Sequence, residues 1–172
     1  MRERSLANEQ AMHQLSGLPG HQVGILRQEL DSMVRAIWLG HCSAAERQRL
    51  AEMFQQSGEF RQVSGGRITD VAMVALAGRL HGWTQRVYKF GCAFIHLSTA
   101  HDFQNRDPFL ELSVSDRREI IEHISNYHFI RLPETFGFAD LIPVLPQVFE
   151  KIRGNLECEL SHLENGSSDG NA

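Results

Sequence analysis

Four of the nine histidines fall in one stretch, residues 86–129, as two His-x4-His pairs: His96 with His101 and His123 with His128. Imidazole changes charge near neutral pH and also ligates metals, so a cluster of this kind points to proton transfer or to metal binding. His101 stands where the helical apolar period requires an apolar side chain. A polar group at such a position must be hydrogen-bonded, or it costs about 1–3 kcal/mol. His128, on the inward side of its own helix, is its available partner. Two accounts follow: a satisfied pair of histidines at the end of a helix bundle, or a metal site of His101, Asp102 and His128 with His96. Residues five apart on a helix point roughly 140° away from each other, whereas neighbours on one face are three or four apart. The Glu-x-x-His of di-iron bundles is also absent, Glu119 standing four before His123. No metal and no cofactor is therefore expected, and His96, His101, Asp102, Arg106 and His128 form a polar cluster without an assigned role.

Helical elements must position these residues. Val23, Leu26, Leu30, Met33 and Ile37 recur three and four apart, with Val34 and Trp38 widening the stripe, and predict a core helix over 21–39. Ser43-x-x-Glu46 has the form of a capping box opening a helix to about Gln56, and Gly58 stops it. The Gly65-Gly66 segment predicts a loop or a short hairpin. Thr69-Asp70 then starts a seam through Met73, Leu76, Leu80, Trp83, Val87, Phe90, Phe94 and Leu97 to His101. That seam predicts one long helix to Phe103, about 50 Å if straight. Ser113-x-x-Asp116 caps a helix to about Phe129 with Ile120, Ile121, Ile124 and Tyr127 inward. A final helix buries Val148 or Phe149, Ile152, Leu156 and Leu163. The expected fold is all-α, an up-and-down bundle of five or six helices around the long one. Residues 1–20 form an N-terminal segment with a short helix, Ser5 to Leu15, broken at Gly17, Pro19 and Gly20; 21–164 form the helical domain and 165–172 a disordered tail.

On the helix capped by Ser113, Arg117 and Arg118 precede His123 by six and five residues. This Arg-x4–5-His spacing, with the all-helical makeup over roughly residues 20–160, resembles the HEPN superfamily, many of whose members are metal-independent ribonucleases acting as dimers. The stretch FGCAFIHLSTAHDFQNRDPF resembles the central helix of HEPN-related bacterial proteins carried beside defence or toxin genes. The resemblance implies a homodimer and an RNA substrate. It also implies roles: an arginine stabilising the phosphorane charge and His123 moving a proton for attack by the ribose 2′-hydroxyl. Where the family favours a small polar residue after the arginine, this chain has Arg118 and Glu119. A non-catalytic interaction module, binding a protein partner or a second copy, is the alternative, and a bundle metalloprotein ranks third.

Composition bounds these readings. The net charge is −4, and four of the acidic residues lie beyond Gly154, so 17 acidic residues balance the 17 Lys and Arg in the rest of the chain. A neutral body argues against stable non-specific binding to DNA. The chain has no Gly-x-x-x-x-Gly-Lys loop and no Gly-x-Ser-x-Gly. Cys42, Cys92 and Cys158 are far apart and read as reduced thiols, and no apolar run spans a membrane. The expected location is the cytoplasm.

Overall fold

Helix α2 (Pro19–Gly40) is the element on which the others pack. The structure is a computed structural model describing residues 1–95, 106–128, 130 and 135–165, the side chains of 93–95, 127 and 128 excepted. Around α2 lie α1 (Arg2–Gln14), α3 (Ala44–Ser57), α4 (Asp70–Leu80), α5 (Thr84–Ile95) and α6 (Val114–His128). A last helical run, 138–165, comprises α7 (Phe138–Leu141), a 3-10 turn Ile142–Val144 and α8 (Leu145–Asn165). All named elements are helical. The most extensive packing is α8 along α2, followed by α5 and α4.

The predicted core helix was drawn too narrow in its role. Its stripe is buried as expected, Val34 included, and Ile25, Ala36 and Leu39 are buried as well. Fourteen of its 22 residues are buried, and a helix covered on most sides occupies the centre of a bundle. Pro19 opens it at a first-turn position, where the missing N–H costs nothing.

The long central helix predicted from Thr69 to Phe103 is corrected. Its backbone leaves the helical region at His81 (φ −132°, ψ 85°), and α4 ends at Leu80. The His81 carbonyl then accepts from both the N–H and the hydroxyl of Thr84, each at 3.0 Å, and α5 starts there. Gly82, a poor helix former, lies in the corner. Leu80, on the predicted seam, is exposed, whereas Trp83 beyond the corner is buried. The break makes seven helical stretches among the described residues instead of five or six. The end of the predicted helix, including Leu97 and His101, lies outside the described residues, as does the tail beyond Asn165.

Local signals elsewhere hold. Ser43 Oγ accepts from Glu46 N at 3.3 Å, although the Glu46 carboxylate turns to Arg49 (2.8 Å) instead of reaching back. That pairing holds the Glu46 carboxyl below its usual range. Gly58 takes the left-handed conformation that ends α3. Between α3 and α4 the chain makes a hairpin-like loop, with Arg61 and Arg67 bridged antiparallel and Gly65 at φ 89°. Thr69 caps α4 by accepting from Ala72 N at 3.2 Å.

Two polar seams run through this apolar body. Glu29 on α2 is completely buried, and its carboxylate accepts from the Ser5 hydroxyl and from Asn8 Nδ2 (2.8 Å) on α1. One turn along, Arg4 donates to the Ser32 hydroxyl and to the Gln28 carbonyl (3.2 Å). The second seam is ionic. Arg27 on α2, 4% exposed, pairs with Asp31 and lies 3.8 Å from Asp70 at the start of α4, while Arg35 reaches Asp70 at 3.2 Å. The Arg27 guanidinium lies 3.9 Å over the Tyr88 ring of α5. Burial pushes the Arg35 guanidinium down, an effect partly offset by Asp70. Gly91 is the close approach that admits the Arg27 stem: a Cβ there would come within 2.9 Å of Arg27 Cβ.

Candidate functional site

Helix α6 carries Arg117, Arg118 and His123, and its start is fixed from within. Ser113 Oγ accepts from Asp116 N at 3.1 Å and donates to the Asp116 carboxylate at 2.7 Å. Replacing Ser113 by alanine leaves that first-turn amide without its cap and is expected to cost about 1 kcal/mol in urea unfolding. Lys89 of α5 also reaches Asp116, at 2.8 Å, and together these contacts hold the Asp116 carboxyl below its usual range. One turn further, Glu119 pairs with Arg86 of α5, whose guanidinium also donates to the Gly82 carbonyl at 2.9 Å. Two ion pairs thus set α6 against α5.

On that framework Arg118 is exposed, and Arg117 and His123 are half-buried. The His123 ring lies 5.9 Å, centre to centre, from the indole of Trp83. Trp83 itself stands at the α4–α5 corner, with the His81 ring 6.1 Å away and the Lys151 ammonium of α8 6.0 Å over its face. Burial pushes the Lys151 ammonium below its usual value. Below His123 is a cavity of about 70 Å³ walled by Leu26, Val87, Phe90, Ile124, Leu145 and Val148, with Arg86 and His123 at its rim. Such a volume falls far short of the roughly 300–1,000 Å³ of a cofactor pocket.

The second set of sequence candidates is only partly placed. Arg106 is exposed. His96, His101 and Asp102 lie outside the described residues, as does the side chain of His128 at the end of α6. Beside Arg106, Asp107 is structural: its carboxylate accepts from Phe109 N (2.8 Å) and from Phe138 N (2.9 Å), so it clamps the loop to the start of α7. No three His, Cys, Asp or Glu side chains converge as metal ligands among the described residues. His41 and Cys42 turn to backbone carbonyls, Ile37 O at 2.9 Å and Trp38 O at 3.3 Å. Burial raises the Cys42 thiol, the wrong direction for a nucleophile.

Trp83 beside His123, and His81 and Lys151 beside Trp83, were not singled out. They come from the α4–α5 corner and from α8, so no spacing within α6 could have found them. The class this geometry defines is an all-helical bundle with a small apolar cavity edged by Trp83, Arg86 and His123. Beyond that class, comparison with protein-family models, with curated proteins and with solved structures finds no match. No helix among the described residues is long and apolar enough to cross a membrane.

Proposed function

We propose that the protein is a HEPN-like endoribonuclease of a bacterial defence or toxin–antitoxin kind, acting without a metal through Arg117 or Arg118 and His123. What supports this reading is α6, a capped helix pinned to α5, with Arg118 exposed and Arg117 and His123 half-exposed. Residues six apart on a helix are about 9 Å apart along its axis and about 120° apart around it. A single phosphate is therefore reached more readily by an arginine of one copy and the histidine of another, and the proposal includes a homodimer. The small cavity leaves the surface of α6 as the place for a polymeric substrate, in keeping with RNA.

The test is cleavage of mixed cellular RNA and tRNA in EDTA by the purified protein. His123→Ala is expected to slow cleavage by about 10²–10⁴-fold, the worth of a positioned general acid or base. Arg117→Ala/Arg118→Ala is expected to abolish cleavage while the fold, followed by circular dichroism, is kept. Cleavage unchanged by either variant, or none from a folded dimer, overturns the reading. In the second case the protein is the non-catalytic interaction module. Leu110 and Val114, exposed apolar side chains flanking the α6 cap, favour that alternative.

A further inference from the structure

A second hollow lies away from α6, where the end of α2 meets α4. The groove there holds about 360 Å³, within the range of sites for small molecules. Its α4 wall is Ala72, Ala75, Leu76 and Arg79, which stand three and four apart and so share one face of that helix. The α2 side supplies the half-buried Trp38, with the exposed His41 just beyond it. The polar groups are defined by what they already bond. His41 Nδ1 lies 2.9 Å from the Ile37 carbonyl, which can only accept, so Nδ1 carries the hydrogen and Nε2 of the neutral ring is an acceptor. Arg79 is exposed and makes no ion pair or hydrogen bond with a described residue. Its guanidinium is charged whatever its surroundings. Asp70 is engaged by Arg35 at 3.2 Å and Glu46 by Arg49 at 2.8 Å, while Glu159 of α8 stands beside Gly40, outside the groove lining.

We propose that this groove binds a nucleoside monophosphate, with its base against Trp38 and its phosphate at Arg79. Every base has a flat face that stacks on an aromatic side chain, and a guanidinium meets phosphate through parallel N–H donors. His41 Nε2 would accept from a ribose hydroxyl or a base amino group. A single-ring aromatic acid would satisfy Trp38 and Arg79 but leave that acceptor idle, which favours the nucleotide. The unit comes either as a free nucleotide or within an RNA strand. This inference does not rest on cleavage at α6, because AMP has no phosphodiester to cut.

The chain has two tryptophans and Trp83 is buried, so stacking on Trp38 is read as quenching of intrinsic fluorescence. AMP, adenosine and an adenylate RNA tetramer are titrated into the wild type, Arg79→Gln and Trp38→Leu, with calorimetry in parallel. AMP is expected to quench saturably and to bind about tenfold more tightly than adenosine, the scale of one charge-assisted contact. Arg79→Gln is expected to remove that preference by weakening AMP and leaving adenosine unchanged. Trp38→Leu is expected to weaken both about tenfold and to abolish the quench. A tetramer bound no more tightly than AMP assigns the groove to free nucleotide, and one bound more tightly assigns it to a strand. No saturable AMP binding, equal wild-type affinity for AMP and adenosine, or AMP affinity untouched by Arg79→Gln overturns the proposal. Should Trp38→Leu fail to fold, Arg79→Gln, a change at an exposed side chain, decides alone. AMP binding by a protein that leaves RNA intact keeps this site and removes the nuclease reading.

Discussion

The Ser5→Ala/Asn8→Ala variant is expected to unfold in urea with about 3–5 kcal/mol less stability than the wild type, and adding Glu29→Met to restore most of the loss. Glu29 is wholly buried, and these two α1 side chains donate to its two carboxylate oxygens. Without them a desolvated acid keeps its cost and loses its compensation. Stranding one member of a buried polar set costs about this much, whereas replacing the whole set by apolar atoms is often close to neutral. Methionine fills the space left by the acid with a flexible apolar chain. A triple variant no more stable than the double one would show that the loss arises from α1 packing and not from the stranded carboxylate.

A second large effect changes in size with its background. Gly91→Ala drives a methyl to 2.9 Å from Arg27 Cβ, an overpacking that outweighs the gain in helix propensity. The expected net loss is about 1–2 kcal/mol. Arg27→Ala alone is expected to cost about 3 kcal/mol, because Asp31 and Asp70 lose their shared cation and the Tyr88 face loses its partner. In that shortened background Cδ and Cγ, which would lie 3.1 and 3.3 Å from the added methyl, are gone, while Cβ at 2.9 Å remains. Gly91→Ala is then expected to cost less than it does beside the full Arg27 side chain, but still to destabilise. Chemical denaturation of the four proteins closes the cycle. Additive losses would show that Arg27 does not set the close approach of α5 to α2.

These two seams also mark how far the sequence could be read. The α2 stripe was legible because Val23, Leu26, Leu30, Met33 and Ile37 keep helical period and are buried at the centre. Caps at Ser43, Thr69 and Ser113 were legible because capping depends on residues only three apart. The α4–α5 corner was not, since Leu80, Trp83 and Val87 keep steps of three and four while the backbone turns at His81. Periodicity counts residues and does not sense a change of axis. α1 was legible as a helix but not as a packing partner, because it buries Ser5 and Asn8 with only Met12 apolar. Its complement, Glu29, lies two dozen residues away on α2. The candidate site shows the same limit: α6 gave Arg117, Arg118 and His123 in sequence, but Trp83 joins His123, and Lys151 joins Trp83, only through packing of three elements.

The manner in which α1 is held has one more consequence. Arg2 is bracketed by Glu157 and Glu164 of α8, Arg153 reaches Glu9 at 2.9 Å, and the attachment further includes Arg4, Ser5, Asn8, Ala11 and the buried Met12, whose carbonyl accepts from Gln22 Nε2 at 3.1 Å. Exposed ion pairs of this kind are individually weak and screened by salt. What makes them sufficient is the short connection through residues 15–18 into α2, which keeps the helix at a high effective concentration over its own groove. In thermodynamic terms α1 is a tethered ligand of the bundle. Its release exposes little apolar surface, so it would leave the heat capacity and the urea slope of unfolding almost unchanged.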